Sequence, residues 1–160
     1  MKNFIQWVII FFATGAFSGF MPKAPGTAGT LVAIPIVYFT ANCSVSFHIY
    51  FWLTLFFLGA WVAKSYDEMQ NTQDNSKIVI DEIVGFGLAA YGWSNNTKML
   101  LLAFVFFRFF DIFKIFPAKQ FDIWSKHKAK GIFRGFCIMM DDVMAGLQTW
   151  LVLFLVQKIL

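Results

Sequence analysis

"VSFHIYFWLTLFFLGAWVA", residues 45–63, decides the fold class. These nineteen residues include no Asp, Glu, Lys or Arg, and His48 is their one side chain that titrates near neutrality. A membrane-crossing helix needs about 20 predominantly apolar residues, or somewhat fewer where the bilayer thins. The rest of the chain has the same character. Of its 160 residues, 59% are hydrophobic, only 14% are charged and 22 are phenylalanine. A soluble domain of this length has too little interior to cover so much apolar surface. The expectation is an all-α, polytopic membrane protein: one domain over residues 1–160, with about four to five membrane-embedded helices.

Five further apolar segments flank this one, at 4–21, 28–41, 83–93, 99–116 and 143–156. The connections between them differ in charge. Residues 41–46 carry none and 92–98 carry only Lys98, whereas 64–82 hold both signs and 117–135 hold Lys119, Lys126, Lys128, Lys130 and Arg134. Cationic loops stay in the cytoplasm. Alternating outward from 117–135 places 92–98 and 41–46 outside and 64–82 and 21–30 inside, so every loop rich in ionisable residues falls on one face. The first segment fits this alternation poorly, because Lys2 prefers the inside. Residues 4–21 are therefore expected to lie in the interface or re-enter rather than span. They resemble a secretory signal, but the apolar part is long and the next motif follows too closely, so they are read as retained.

The net charge of +4 suits an anionic lipid surface and does not point to nucleic acid. Cys43 and Cys137 are far apart, and His48 and His127 are isolated, which argues against a disulfide framework or a zinc site.

Four stretches carry the chemistry. "PKAPGTAGT" (22–30) has prolines that keep the chain extended, glycines that admit a close ligand, and Thr27 or Thr30 as a cap for the next helix. Free amides at that helix start, beside Lys23, suit phosphate. "DEIVGFG" (81–87) and "DDVMAG" (141–146) each place two acids, Asp81 with Glu82 and Asp141 with Asp142, ahead of small residues. Both pairs are read as opening an apolar helix, where acids favour the helix dipole. Small residues also let helices approach closely, which would bring the pairs together. In "FRFFDIFK" (107–114), Arg108, Asp111 and Lys114 recur every third residue and share one helical face. They form either an ion-pair ladder or a site, and intramembrane charges favour a site.

Five of the nine acids thus sit at apolar borders on one face, with Lys23, Arg108, Lys114 and Arg134. Crowded carboxylates repel each other, and a hard divalent cation relieves this. Mg²⁺ suits sparse carboxylate ligation shared with a substrate phosphate. The residues read as a metal-dependent enzyme acting on a phosphorylated lipid.

The motifs "PKAPGTAGTL", "DEIVGF", "FRFFDIFK" and "CIMMDDVMAG", in this order and approximate spacing, resemble the phosphatidylglycerophosphatase A family from about Phe17 to Leu147. That resemblance implies an Mg²⁺-dependent lipid phosphatase of the bacterial cytoplasmic (inner) membrane, multi-pass, with its active site facing the cytoplasm. Its reaction would be the hydrolysis of phosphatidylglycerophosphate to phosphatidylglycerol and inorganic phosphate in phospholipid biosynthesis. It implies functional roles for Lys23, Gly26, Thr27, Asp81, Glu82, Asp111, Lys114, Asp141 and Asp142. The chain departs from the family after Lys114, where Ile115 stands in place of a proline that comes later at Pro117, and in the looser approach "RGFCIMM" to the last motif.

The combined expectation has Asp81, Glu82, Asp111, Asp141 and Asp142 as catalytic. Asp81, Glu82, Asp141 and Asp142 hold Mg²⁺, and Lys23, Gly26, Thr27, Arg108 and Lys114 hold phosphate. The partners are an anionic phospholipid and the membrane; the sequence sets no oligomeric state. The attacking group is water or a carboxylate that forms an aspartyl-phosphate. Signatures of the haloacid dehalogenase, type-2 phosphatidic acid phosphatase and Cys-x5-Arg enzymes are missing. Two other classes compete: a small transporter or channel, and a noncatalytic assembly subunit. A transporter would spread polar residues through the membrane depth, and an assembly subunit would tolerate Asp→Asn changes at 141 and 142.

The loop charges make a direct prediction. In intact cells, a cysteine in Ser44→Cys reacts with an impermeant reagent added outside, and one in Lys128→Cys does not. The reverse pattern contradicts the orientation.

Overall fold

A computed structural model describes residues 3–159 and, among them, contains helices and no strand. Lys2 lies outside the described residues. The helices are α1 (Phe4–Ala13), α2 (Pro25–Thr40), α3 (Val45–Gln70), α4 (Ile80–Ala89), α5 (Thr97–Phe113), α6 (Ala118–His127) and α7 (Gly131–Ile159), with a 3-10 turn at Ser18–Phe20. The all-α expectation holds. α3 and α7 are long and apolar enough to cross a membrane. α1 and α2 are apolar but shorter. At 1.5 Å per residue, the ten residues of α1 reach about 15 Å, half a hydrocarbon core, so this helix alone does not cross.

Large apolar side chains point outward from several helices. Phe39 on α2 is 81% exposed, Phe57 on α3 64% and Leu101 on α5 64%. An exposed apolar belt of this extent is a lipid-facing surface, where helices are favoured because they satisfy their own backbone groups. The chain is a membrane protein.

Local chemistry sets the helix ends. Asn3 and Gln6 form a reciprocal capping box on α1. The Ser44 hydroxyl accepts from the Phe47 amide and starts α3, and the Asn96 side chain accepts from Lys98 and Met99 and starts α5. α2 begins with Pro25 in its first turn, where a missing N–H costs nothing, and Ala24 is the cap residue. The cap expected from Thr27 or Thr30 is therefore not made. Both lie inside the helix, and Thr30 donates back to the Gly26 carbonyl.

α7 is the central helix and touches α3, α4, α5 and α6. It begins at Gly131, twelve residues before the expected segment at 143. Asp141 and Asp142 consequently lie well inside a continuous helix, not at its start, so the helix-dipole account does not apply to them. Packing explains the geometry instead. A Cβ on Gly85 of α4 would lie 2.5 Å from the Asp142 carbonyl oxygen, and one on Gly146 would strike the Gly85 carbonyl. α4 and α7 meet backbone to backbone there, which only glycine permits. Lower on α7, Gly135 lies against the Ala60 carbonyl of α3 in the same way.

Helices α3 and α5 run toward one end of the molecule, and α2 and α4 start there. That end collects the 71–79 loop, Lys114, α6 and the first third of α7. At the other end the loops after α2 and α4 meet, where Asn95 donates to Asn42 at 3.2 Å. The charge-based pairing of 41–46 with 92–98 on one side matches this contact. The cationic stretch 117–135 is more structured than expected: it contains α6 and the start of α7.

Gly85→Ala tests the crossing. Overpacking costs about 1–3 kcal/mol, so the variant in detergent should melt earlier, whereas Leu101→Ala on the exposed face should not. An unchanged midpoint for Gly85→Ala contradicts the close approach.

Candidate active site

At the charged end, α2, the 71–79 loop, α4, α5, α6 and α7 enclose a cavity of about 470 Å³. It is lined by Lys23, Gly26, Thr27, Asp81, Glu82, Arg108, Asp111, Lys114, Asp141 and Asp142, so all ten residues singled out in the sequence converge on it. These charged residues gather at one end of the bundle. Arg134 does not join them; its Nε donates to the Ala129 carbonyl at 3.2 Å.

The α4–α7 crossing positions the acids. Asp81 and Glu82 lie in the first turn of α4, and Asp142 faces them from α7 one turn before Gly146. Asp81, Glu82 and Asp142 each present one oxygen, and these three oxygens lie within 4.8 Å of one another. Asp81 and Asp142 are buried, at 8% and 2% exposure. Glu82 Oε2 and the neighbouring Arg108 Nε are buried without a hydrogen-bond partner among the described residues. Three hard oxygen donors at this spacing, one with an unpartnered oxygen, fit a hard divalent cation.

The remaining acids are already paired. Arg108 bridges Asp111 at 2.5 Å and reaches Glu82 at 3.9 Å. Lys114 bonds Asp141 at 2.5 Å and lies 3.4 Å from Asp122 and 3.9 Å from Asp111. The ladder on α5 is therefore real, and it is also part of the cavity wall. Lys114 ends α5 in the left-handed conformation, φ 43°, which turns the chain toward α6. Gly26 is tight for a related reason: a Cβ there would meet Glu82 Oε1 and come within 3.0 and 3.1 Å of the Arg108 guanidinium nitrogens.

Three charged lining residues were not expected in the site: Asp74, Asp122 and Lys126. Lys126 Nζ lies 2.5 Å from Asp122 and 3.6 Å from Asp74. Burial raises the Asp122 carboxyl, but the Lys126 hydrogen bond and the Lys114 charge outweigh it and hold the group below its ordinary value. Burial dominates at Asp74 and pushes its carboxyl up despite Lys126 and Lys114. The i, i+4 spacing of Asp122 and Lys126 was the available signal, but α6 was read as loop.

The lining holds seven carboxylates and four cations. Arg108, Lys114 and Lys126 are each engaged by acids. Lys23 is exposed and has no ion pair or hydrogen bond among the described residues. Fully ionised, the cavity carries excess negative charge and would repel a phosphate unless a cation joins it.

The fold and the site define the class: an all-helical membrane protein with a carboxylate-lined cavity at its charged end. The sequence model of the phosphatidylglycerophosphatase A family matches residues 11–157, and the chain belongs to that family, a group of phosphoric monoester hydrolases. It is 35% identical to a phosphatidylglycerophosphatase A of Haemophilus influenzae over 91% of this chain and 86% of that one. It is 28% identical to the Escherichia coli K12 protein of the same name, over 84% and 74% respectively. A Bacteroides thetaiotaomicron protein with a provisional phosphatidylinositol-3-phosphatase name is 33% identical over 90% of each chain. No solved structure matches.

Proposed function

We propose that this chain removes the terminal phosphate of phosphatidylglycerophosphate, giving phosphatidylglycerol and inorganic phosphate for phospholipid biosynthesis, with Mg²⁺ as cofactor. The observation that carries this is the meeting of Asp81, Glu82 and Asp142 with the unpaired Lys23 in one cavity at the charged end of a lipid-facing bundle. Family membership supplies the reaction class, and the names of the Haemophilus and Escherichia relatives supply the substrate. The proposed setting is the bacterial cytoplasmic membrane, with four to five helices embedded and the cavity facing the cytoplasm.

Asp81, Glu82 and Asp142 would hold Mg²⁺, which when bound supplies positive charge against the phosphoryl oxygens. Asp141 was expected in this set as well, and its Oδ2 accepts from Lys114 and anchors that lysine. Lys114 in turn braces Asp122 and Asp111, and Arg108 braces Asp111. Lys23 reaches the phosphate from the mouth of the cavity, and the first-turn amides of α2 around Gly26 and Thr27 lie beside it. Water adds to phosphorus, the bond to the glycerol oxygen breaks, and that oxygen takes its proton from the cavity carboxylates that receive the one the water loses. The proton lost by the water is taken up among the carboxylates of the cavity.

Charge from Lys23 acts on oxygens whose negative charge grows in the transition state. Lys23→Ala should therefore lower kcat on the order of 100-fold, with KM changing less. Lys23→Arg should also suffer, because a planar fork does not replace a point charge. Phosphate release in detergent, with and without Mg²⁺, measures both. Unchanged kcat in Lys23→Ala would remove Lys23 from the site. A second reading, phosphatidylinositol phosphate as substrate, draws on the Bacteroides relative. Faster turnover of that lipid than of phosphatidylglycerophosphate in the same assay would replace the first.

A further inference from the structure

Asp67 is fully buried in the last turn of α3, outside the cavity lining, with no cation bridged to it among the described residues. A buried carboxylate without a cation persists only when hydrogen bonds replace its lost hydration. Here they come from the next segment of chain. Asp67 Oδ1 accepts from the Thr72 hydroxyl at 2.8 Å and the Asn75 amide at 3.0 Å, and Oδ2 accepts from the Asp74 amide at 2.7 Å. Its backbone carbonyl accepts from the Thr72 amide at 3.0 Å. The Asn75 side chain closes the ring by donating to the Thr72 hydroxyl at 3.2 Å.

This clasp reaches the cavity through Asp74 and Asn75, of which Asp74 carries the charge. The loop turns through Asn71 and Asp74, both at positive φ, and delivers the Asp74 carboxylate to Ser125, 3.3 Å away, and Lys126, 3.6 Å away, on α6. α6 also carries Asp122, which contacts Lys114, the residue that anchors to Asp141. Hydrogen bonds from α3 to the loop, followed by ion pairs from the loop through α6 and Lys114, thus lead to α7.

We propose that Asp67 is a positioning residue of the phosphatase site: its carboxylate gathers the 72–75 loop so that Asp74 holds α6 as the cavity wall opposite Asp81, Glu82 and Asp142. The proposal rests on the phosphatase reading above. All three groups that the carboxylate binds are donors, so an amide cannot replace it, because its NH₂ would face a donor. A wall displaced by about 1 Å costs on the order of 10- to 100-fold in rate.

The test is a double-mutant cycle on the full chain in detergent. Asp67→Asn and Asp74→Asn should each lower kcat/KM on the order of 10- to 100-fold. Because Asp67 acts through Asp74, the double variant should be no worse than Asp74→Asn alone. Amide exchange should speed up at residues 72–76 in Asp67→Asn, while exchange in α4 and α7 stays unchanged. Thr72→Val, which removes a single donor, should show a milder form of both effects. Additive losses in the cycle, wild-type kinetics in either aspartate variant, or loosening throughout the bundle would overturn the proposal and leave Asp67 as an end-of-helix stabiliser. Wild-type turnover of the phosphorylated lipid is the control for the phosphatase reading. Failure of that reading shows in the wild type, and failure of the proposal shows in the variants.

Discussion

The backbone contact between α4 and α7 is the constraint on which the site depends. Gly85 and Gly146 remove the side chains that would separate the two helices, and Gly85 lies directly against the Asp142 carbonyl. Asp142 is thereby fixed opposite Asp81 and Glu82. Without glycine at these positions, the acids would belong to two helix surfaces a side chain apart. With it, oxygens of three carboxylates converge, Asp81 and Asp142 both buried, and like charges this close repel each other.

The rest of the charged end limits that repulsion. Arg108 faces Asp111, Lys114 faces Asp141, and Lys126 joins Asp74 and Asp122. These contacts tie α5 to α7 and α6 to the 71–79 loop, so the pairs that neutralise the wall also fix its shape. Among the described residues, the one ion pair to the convergent set of Asp81, Glu82 and Asp142 is the 3.9 Å contact of Arg108 with Glu82. Paired walls around an under-compensated centre are the arrangement on which the proposed divalent-ion site rests.

Much of this could be read in the sequence because it rests on local pattern. An apolar run of nineteen residues marks α3, and motifs of acids followed by small residues mark the α4–α7 crossing. The three-residue spacing of Arg108, Asp111 and Lys114 marks one face of α5. What could not be read depends on tertiary partners. α7 was cut short because Arg134, Asp141 and Asp142 interrupt its apolar pattern, and the two buried aspartates are accommodated by Lys114 at the end of α5 and by the close approach of α4. α6 was missed because its hydrophobic residues are few and its lysines looked like loop charge. Thr27 and Thr30 looked like caps, yet Pro25 had already begun the helix. Asp67 and Asp74 stood in a mixed-charge connection, and nothing local reveals that one organises the loop carrying the other.

We propose that Asp81, Glu82 and Asp142 form one divalent-cation site. Titrating Mn²⁺ into the purified protein in detergent, followed by electron paramagnetic resonance, measures that site without turnover. The account predicts that the wild-type protein binds Mn²⁺, that Mg²⁺ competes for it, and that Asp142→Asn, with unchanged helix content, binds at least about tenfold more weakly. Equal Mn²⁺ affinity in the wild type and in Asp142→Asn would contradict it.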